Sequence, residues 1–318
     1  MKITSLHHVA YAVENYKRVR KFWKQLGFTL LQQPGQEETA PSVFWIGQVQ
    51  IQLHPTISCP MAAQWRENHT RDDLYQICLG VDNLEEVIEE LNAAGIETPE
   101  IEETLQGKQI YIDKKYTGEY YLGFIELNVQ LKDKAVGEQQ TAMAELLGVT
   151  GLTAEQIAHN DMGMTNIHHI GITVADYERA RHLWEDVLGM EAIYQHFKER
   201  DFEEDAMYLG DAQIHIYRSK NPDLKFCWWP QKNGDGLETL SVCVDKINDT
   251  IYKLRCAGMD IVGYAAESMS QGMSCFIDKD FTAGNDFELV EFHYFLKGKT
   301  VEEMKKIVYH FFGEGSVL

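Results

Sequence analysis

Apolar residues recur along this chain with two periods. Alternation from Leu6 to Val13 predicts a strand, and a 3.6-residue rhythm from Tyr16 to Leu26 predicts a helix stopped by Gly27. Shorter extended segments follow at Thr29–Gln33, Ser42–Gly47 and Val49–His54, with Gly47-Gln48 as a tight turn. That is one β-α-β-β-β unit. A second begins with a strand at Tyr75–Val81 and a helix at Asn83–Ala94 ended by Gly95. Its remaining strands are expected near Ile96–Glu100, Gln109–Ile112 and Gly123–Gln130.

The scheme then repeats. Ile167–Val174 reads as a strand and Tyr177–Leu188 as a helix, followed by strands near Ala206–Leu209 and Ala212–Tyr217. A strand at Thr239–Val244, a helix at Ile247–Ala257 and strands near Cys275–Ile277 and Phe287–Phe292 complete it. The two copies agree residue by residue at their openings: His8 with His169, Tyr16 with Tyr177, Arg20 with Arg181 and Trp23 with Trp184. An internal repeat of this length sets the architecture. The expected class is α+β, in tandem βαβββ modules. The expected units are 1–132, a helical linker at 133–163, 164–296, and a helical tail at 297–318. In the linker, Ala142–Leu147 and Ala154–Ala158 read as short helices. In the tail, Thr300 and Glu303 form a capping box for a helix from Val301 to Phe312, with Gly313 as its stop. Its stripe of Val301, Met304, Ile307, Val308 and Phe311 is expected to pack on a domain or a partner chain.

Composition changes this picture only by exclusion. The 318 residues suit two domains, and 44% hydrophobic content suits a packed core. No apolar run of about 18 residues exists to span a membrane. The N-terminus runs straight into a strand, so a cytoplasmic protein is expected, with its six cysteines reduced and no CxxC among them. A net charge of −20 disfavours nucleic acid, whose phosphates need clustered Lys and Arg.

Alternation sorts side chains to two faces of each strand. Val9, Tyr11 and Val13 match Ile170, Ile172 and Val174 and should meet the helices. The opposite faces carry His8, Ala10 and Ala12 and, in the second copy, His169, Gly171 and Thr173. Sorting the other strands adds Gln52, Gln76 and Glu126 to the first wall, and His215, Thr239 and Glu288 to the second. A carboxylate between apolar neighbours in a central strand is costly unless paired or ligated. Imidazole, carboxylate and amide oxygen together make a donor set for a divalent ion. His7 and His168 are expected on the opposite face as core histidines. His54, Tyr217 and Glu291 could line a pocket, and Trp228-Trp229-Pro230 could form an apolar lid.

These motifs resemble the vicinal oxygen chelate superfamily, which includes glyoxalase I, methylmalonyl-CoA epimerase, fosfomycin-resistance proteins and extradiol dioxygenases. The carrying segments are LHHVAYAV and IHHIGITV, the helix ending in Leu-Gly, Val81-Asp82 and Val244-Asp245, and the terminal FIEL and GNDFELVEF. The resemblance covers nearly the whole chain outside the linker and tail. It implies two glyoxalase-like domains of two modules each, with curved mixed sheets around a cavity. It implies a divalent metal held from the first, fourth, fifth and eighth strands: His8, Gln52, Gln76 and Glu126 in one half, His169, His215, Thr239 and Glu288 in the other. Gln76 and Thr239 stand where the family's pattern has histidine. Thr239 weakens the likeness to the ring-cleaving dioxygenases, though His215 could restore two histidines and a carboxylate.

The leading expectation is therefore a metal-dependent enzyme (Fe, Mn, Co, Ni or Zn) with His169, His215 and Glu288 as ligands and Glu288 as the catalytic carboxylate. It would act on a small carbonyl, carboxylate or thioester substrate by Lewis-acid stabilisation of an enolate, as an isomerase or lyase. The alternatives are Fe(II)-dependent ring cleavage and non-catalytic binding of a small molecule such as an antibiotic. A homodimer is an open alternative to a monomer.

Overall fold

The computed structural model describes residues 2–36, 38–199, 202–210, 212–223, 227, 230–232, 234–265, 272–279, 281–282, 286–293 and 296–312. In the first half the elements run β1 (Ile3–Val13), α1 (Tyr16–Gln25), β2 (Ser42–Ile46), β3 (Val49–Pro55) and α2 (Pro60–Arg66). They continue through β4 (Asp73–Val81), α3 (Leu84–Ala93), β5 (Glu102–Glu103), β6 (Gly107–Ile112), α4 (Lys114–Thr117) and β7 (Tyr121–Leu127). The linker forms α5 (Val136–Leu146) and α6 (Ala154–Ala158). The second half runs β8 (Met164–Thr173), α7 (Tyr177–Arg181), β9 (Ala192–Glu199), β10 (Phe202–Leu209), β11 (Ala212–Ser219) and β12 (Gly236–Val244). It closes with α8 (Ile247–Cys256), β13 (Ile261–Ala265), β14 (Gly272–Ile277), β15 (Asp286–Phe292) and the tail helix α9 (Val301–Phe312).

The two sheets share one topology. The first has the order β2-β3-β1-β4-β7-β6-β5, the second β13-β14-β15-β12-β8-β11-β10-β9. In each, two βαβββ modules meet along an antiparallel seam, β1 with β4 and β8 with β12. Both sheets are mixed, because the strand after each module's hairpin returns parallel to the first. This is the α+β arrangement expected from the repeat.

Several boundaries differ from the sequence reading. The Thr29–Gln33 segment contributes only an isolated bridge from Leu31 to Val43, and nothing at Ile96–Glu100 enters the sheet. The short α2 and the strand β9 were not foreseen. The helix expected over Tyr177–Leu188 is α-helical to Arg181 and then widens into π-helical turns over His182–Val187. The Trp228-Trp229 lid and the Gly313 stop lie outside the described residues.

One core joins the halves. Val9, Tyr11 and Val13 of β1 and Ile170, Ile172 and Val174 at β8 all face it, as alternation requires. The helices cross between halves: Trp23 of α1 packs on Phe287 of β15 with ring centroids 5.4 Å apart, and Trp184 donates to the Tyr120 hydroxyl at 3.2 Å. Each half is followed by a helix that packs at its hairpin. α5 covers Val43 and Trp45 of β2, and α9 covers Ala206 and Tyr208 of β10 through Met304, with Val301 and Ile307 beside it. The tail stripe thus lies on its own second half; the side chains of Val308 and Phe311 are outside the described set. No helix among the described residues is long and apolar enough to cross a membrane.

Candidate functional site

The sheet register makes equivalent positions explicit. In the first half His8 lies opposite Cys78, and Cys78 lies beside Gly123. In the second His169 lies opposite Ser241, and Ser241 lies beside Glu288. The counterpart of Glu288 is therefore Gly123, not Glu126. Glu126 matches Glu291 instead, and both do the same work at a helix start. Glu126 accepts from the Leu84 N–H at 2.9 Å and Glu291 from the Ile247 N–H at 2.8 Å, each satisfying an orphan donor of α3 or α8. Glu126 thus caps a helix, and it does not join His8, Gln52 and Gln76.

The assignment of His7 and His168 to the opposite face also fails. Each lies at a β-bulge, between Leu6 and His8 or between Ile167 and His169, where the ladder skips a residue. The bulge turns both imidazoles of a pair to the concave side. His7 and His8 meet Nδ1 to Nδ1 at 2.8 Å, His168 and His169 at 2.7 Å. The His168 ring also rests 5.1 Å from that of Phe292.

The first concave face is filled. Gly123 has no side chain, and Tyr111 takes the space: a Cβ at Gly123 would lie 2.2 Å from its ring. The Gln76 amide donates to His8 Nε2 at 2.8 Å and to the Tyr111 hydroxyl at 2.7 Å. Gln52 is tied to Gln50 at 3.2 Å and to His54 Nε2 at 2.8 Å, and His54 Nδ1 is 2.5 Å from the Tyr75 hydroxyl. Helix α2 brings Ala62 and Trp65 against Ala10, Ala12, Tyr75 and Tyr121. Burial alone holds His7 and His54 neutral, each pushed down to about 4. His8 Nε2 and Gln52 Oε1, two atoms a metal would need, are spent on neighbours.

The second concave face keeps its ionisable groups. His169, His215 and Glu288 are each about 2% exposed. His169 Nε2 is 3.6 Å from Glu288 Oε2, and the His169 and His215 rings stack with centroids 4.1 Å apart. Glu288 accepts from the Ser241 hydroxyl at 2.7 Å. Burial raises its pKa to about 7, against hydrogen bonds from Ser241 and Ser274 that lower it; Glu238 and Glu204 push it up further. Burial drives His169 well below the ordinary imidazole range, with His215 and His168 adding to it, so its ring is neutral. His169 Nδ1 meets His168 Nδ1, so its Nε2 is the nitrogen turned toward Glu288. The Tyr217 hydroxyl reaches that Nε2 at 3.2 Å and His215 Nδ1 at 3.0 Å. Thr239 turns its hydroxyl to Glu238 at 2.5 Å.

Two carboxylates here were missed from sequence. Glu204 of β10 holds His215 Nδ1 at 2.7 Å. Glu238 occupies the bulge of β12, the place Tyr75 takes in β4, and is 4% exposed. Period-two reading of β10 from Tyr208 through Ala206 would have placed Glu204 on the concave face; a bulge residue leaves no such signal.

The donor chemistry of this half fits a divalent cation: two imidazoles, one of them neutral by burial, and a carboxylate whose burial is uncompensated enough to raise its pKa. The donors at present bond one another. His215 turns its nitrogens to Glu204 and, at 2.8 Å, to Gln213, and no three His, Cys, Asp or Glu among the described residues form a ready-made metal group.

Known proteins give this fold a family. No curated protein matches the chain as a sequence. Among solved structures, a mutant of 4-hydroxymandelate synthase from Streptomyces coelicolor matches with a TM-score of 0.64 and 13% identity, covering 96% of this chain and 97% of its own. The 2,2',3-trihydroxybiphenyl 1,2-dioxygenase from Sphingomonas wittichii strain RW1 matches with a TM-score of 0.59 and 11% identity, over 91% of each chain. Methylmalonyl-CoA epimerase from Mycobacterium tuberculosis is 24% identical over 43% of this chain and 94% of its own, with a TM-score of 0.39. The model of the glyoxalase/bleomycin resistance protein/dioxygenase superfamily matches residues 7–112 and again 168–275, and the chain belongs to that superfamily.

Proposed function

We propose that the second half is the working site of a metal-dependent enzyme acting on a small substrate that offers two oxygen atoms. One observation carries this reading. His169, His215 and Glu288 are buried side by side in the second half, while the matching positions of the first are His8, Gln52 and Gly123, sealed by Tyr111. A bound divalent ion would be held by His169, His215 and Glu288, and would supply Lewis-acid polarisation of a substrate oxygen. The chain's own residues do the rest. The Tyr217 hydroxyl stands between both imidazoles and can donate to an oxyanion forming beside them. Glu288, once displaced from the ion, is the carboxylate that can take a proton from carbon next to a carbonyl. This favours isomerase- or lyase-like proton transfer.

A second reading, Fe(II)-dependent oxygen chemistry, rests on the donor set itself. Two imidazoles with one carboxylate are the ligands of many non-haem iron oxygenases. The chain-long likeness in fold to a trihydroxybiphenyl dioxygenase agrees with it.

Elemental analysis of the purified protein tests both, with His169→Ala and His8→Ala beside the wild type. The expected result is one divalent ion per chain, lost in His169→Ala and kept in His8→Ala. Iron with oxygen uptake on a catechol selects the second reading; another metal with solvent-proton exchange selects the first. Metal-free protein after reconstitution, with ligand binding undisturbed in His169→Ala, would replace both by a binding protein.

A further inference from the structure

The opening helices of the two halves end differently. After the matched tryptophans the first copy reads Trp23-Lys24-Gln25-Leu26-Gly27 and the second Trp184-Glu185-Asp186-Val187-Leu188-Gly189, one residue more before the stop. Trp184 and Leu188 still keep the core places of Trp23 and Leu26. The π-helical turn over His182–Val187 absorbs the extra residue: the Leu188 N–H reaches back five residues to the Leu183 carbonyl at 2.9 Å. Glu185 stands where the first half has Lys24, and Asp205 of β10 where it has Ser42.

Both of these carboxyl groups converge on one guanidinium. Arg181 Nε is 2.8 Å from Asp205 Oδ2 and 3.3 Å from Glu185 Oε1, and an Arg181 terminal nitrogen is 3.1 Å from Glu185 Oε2. The Asp205 side chain is fully buried and that of Glu185 is 13% exposed. Glu185 and Asp205 also hydrogen-bond each other, and the Tyr177 hydroxyl bonds Asp205. Carboxylates only accept, so a hydrogen bond between two of them requires a proton on one. The other charged groups nearby are engaged: Glu178 with Arg181 at 3.1 Å, Glu203 with Arg218 at 2.7 Å, Glu204 with His215 at 2.7 Å, and His182 with Asp186 at 2.8 Å on the exposed side of the turn. Arg218 also lies over the Tyr177 ring. Burial pushes the Glu185 carboxyl up from its ordinary value; Arg181 pulls it down and the Asp205 charge pushes it up again.

We propose that Glu185 and Asp205 share one proton against Arg181, and that the pair is a pH-sensitive latch tying helix α7 and its π turn to strand β10. The matching places of the first half, Lys24 and Ser42 around Arg20, hold no carboxyl group. Asp205 pairs with Ile216 of β11, so the latch holds from behind the hairpin whose concave face carries Glu204 and His215. It does not depend on a bound metal. By linkage, a carboxyl raised above its unfolded value of about 4.5 gives stability that is complete below 4.5 and is lost as pH rises through the folded value. Above that value, two buried carboxylates face one guanidinium.

The experiment uses the full chain as wild type, Glu185→Gln and Asp205→Asn. Carboxyl-carbon NMR of 13C-glutamate protein follows the Glu185 titration, assigned with Glu185→Gln. Urea unfolding at a series of pH values from 4.5 upward follows the latch, as does hydrogen exchange of α7 and β10 corrected for the intrinsic rate at each pH. The Glu185 midpoint should lie above 4.5 and fall in Asp205→Asn. Relative to Glu185→Gln, the wild type should lose about tenfold in its folded-to-unfolded ratio for each unit by which that midpoint exceeds 4.5. Exchange from α7 and β10 should quicken through the midpoint in the wild type and not in Glu185→Gln. A midpoint at or below 4.5 overturns the proposal, as do equal pH slopes or equal exchange in the wild type and Glu185→Gln. A raised midpoint that Asp205→Asn leaves unmoved would assign the proton to burial alone and overturns the sharing. If Asp205→Asn does not fold, the wild type and Glu185→Gln decide by themselves.

Discussion

The two halves have the same strand order and the same paired histidines, yet one concave face is packed shut and the other holds buried charge. Four differences bear most on this, and a fifth runs the other way, with His54 where the second half has Tyr217. Pro41, Gln52, Tyr75 and Gly123 in the first half stand where Glu204, His215, Glu238 and Glu288 stand in the second. Each change in the first half removes an ionisable donor or fills its space. Gly123 is the most consequential, because losing the side chain admits the Tyr111 ring, whose hydroxyl then lies 3.2 Å from His8 Nε2. A duplicated scaffold can thus keep its backbone for stability in one copy and its chemistry in the other. Buried polar groups that bond one another stabilise a fold; buried carboxylates held without a cation work against it unless they do something else.

The largest contrast concerns function. His169→Ala should cut metal-dependent turnover by about a thousandfold or more, on the order of 4 kcal/mol, while His8→Ala leaves the turnover per folded molecule unchanged. Equal losses in both variants, measured at matched folded fraction, would break the comparison. The next contrast is in stability. Asp205 is fully buried and held by Arg181 at 2.8 Å, so Arg181→Met should cost about 3–5 kcal/mol in urea unfolding. Arg20→Met at the matching place should cost about 1 kcal/mol or less, because Ser42, bonded to Tyr16 at 2.5 Å, replaces Asp205 and Arg20 rests on the Tyr16 ring.

Acid should expose the first half's neutral histidines. His7 titrates near 4 in the folded chain, below the unfolded value of about 6.5. Its contribution is complete above about 6.5 and is lost as pH falls toward 4, because the unfolded chain takes the proton first. Between pH 6.5 and 5 the wild type should lose about 2 kcal/mol on this account, and His7→Asn should lose that much less. Identical pH slopes would show that His7 is not held neutral. The smallest effect is expected from Tyr111→Phe, which keeps the ring over Gly123 and removes only its hydroxyl from His8 and Gln76; thermal unfolding should register about 1 kcal/mol.

Much of this architecture was legible in the sequence because duplication doubled each weak signal. Strand β1 and helix α1 could be checked against β8 and α7, and the helix-facing sets Val9, Tyr11, Val13 and Ile170, Ile172, Val174 lie in the core as alternation predicts. The placement of side chains was legible where it followed regular strands: His169, His215 and Glu288 lie buried on the concave side, as alternation predicts. It failed where the ladder breaks step. Bulges moved His7 and His168 to the concave side and hid Glu238. The search for a carboxylate between apolar neighbours selected Glu126, between Ile125 and Leu127, because a glycine at the position matching Glu288 offers nothing to recognise. Glu204 lay on a hairpin strand too short, as read, to include it.

Crystals of the protein as purified, or loaded with a divalent metal, would give the most direct measurement: anomalous diffraction at the absorption edge of that metal. A single peak within about 2.0–2.3 Å of donor atoms from His169 and Glu288, with none beside His8, is the predicted result. A peak between His8, Gln52 and Gln76, or none in the second half of a metal-loaded crystal, would contradict the division of labour between the halves.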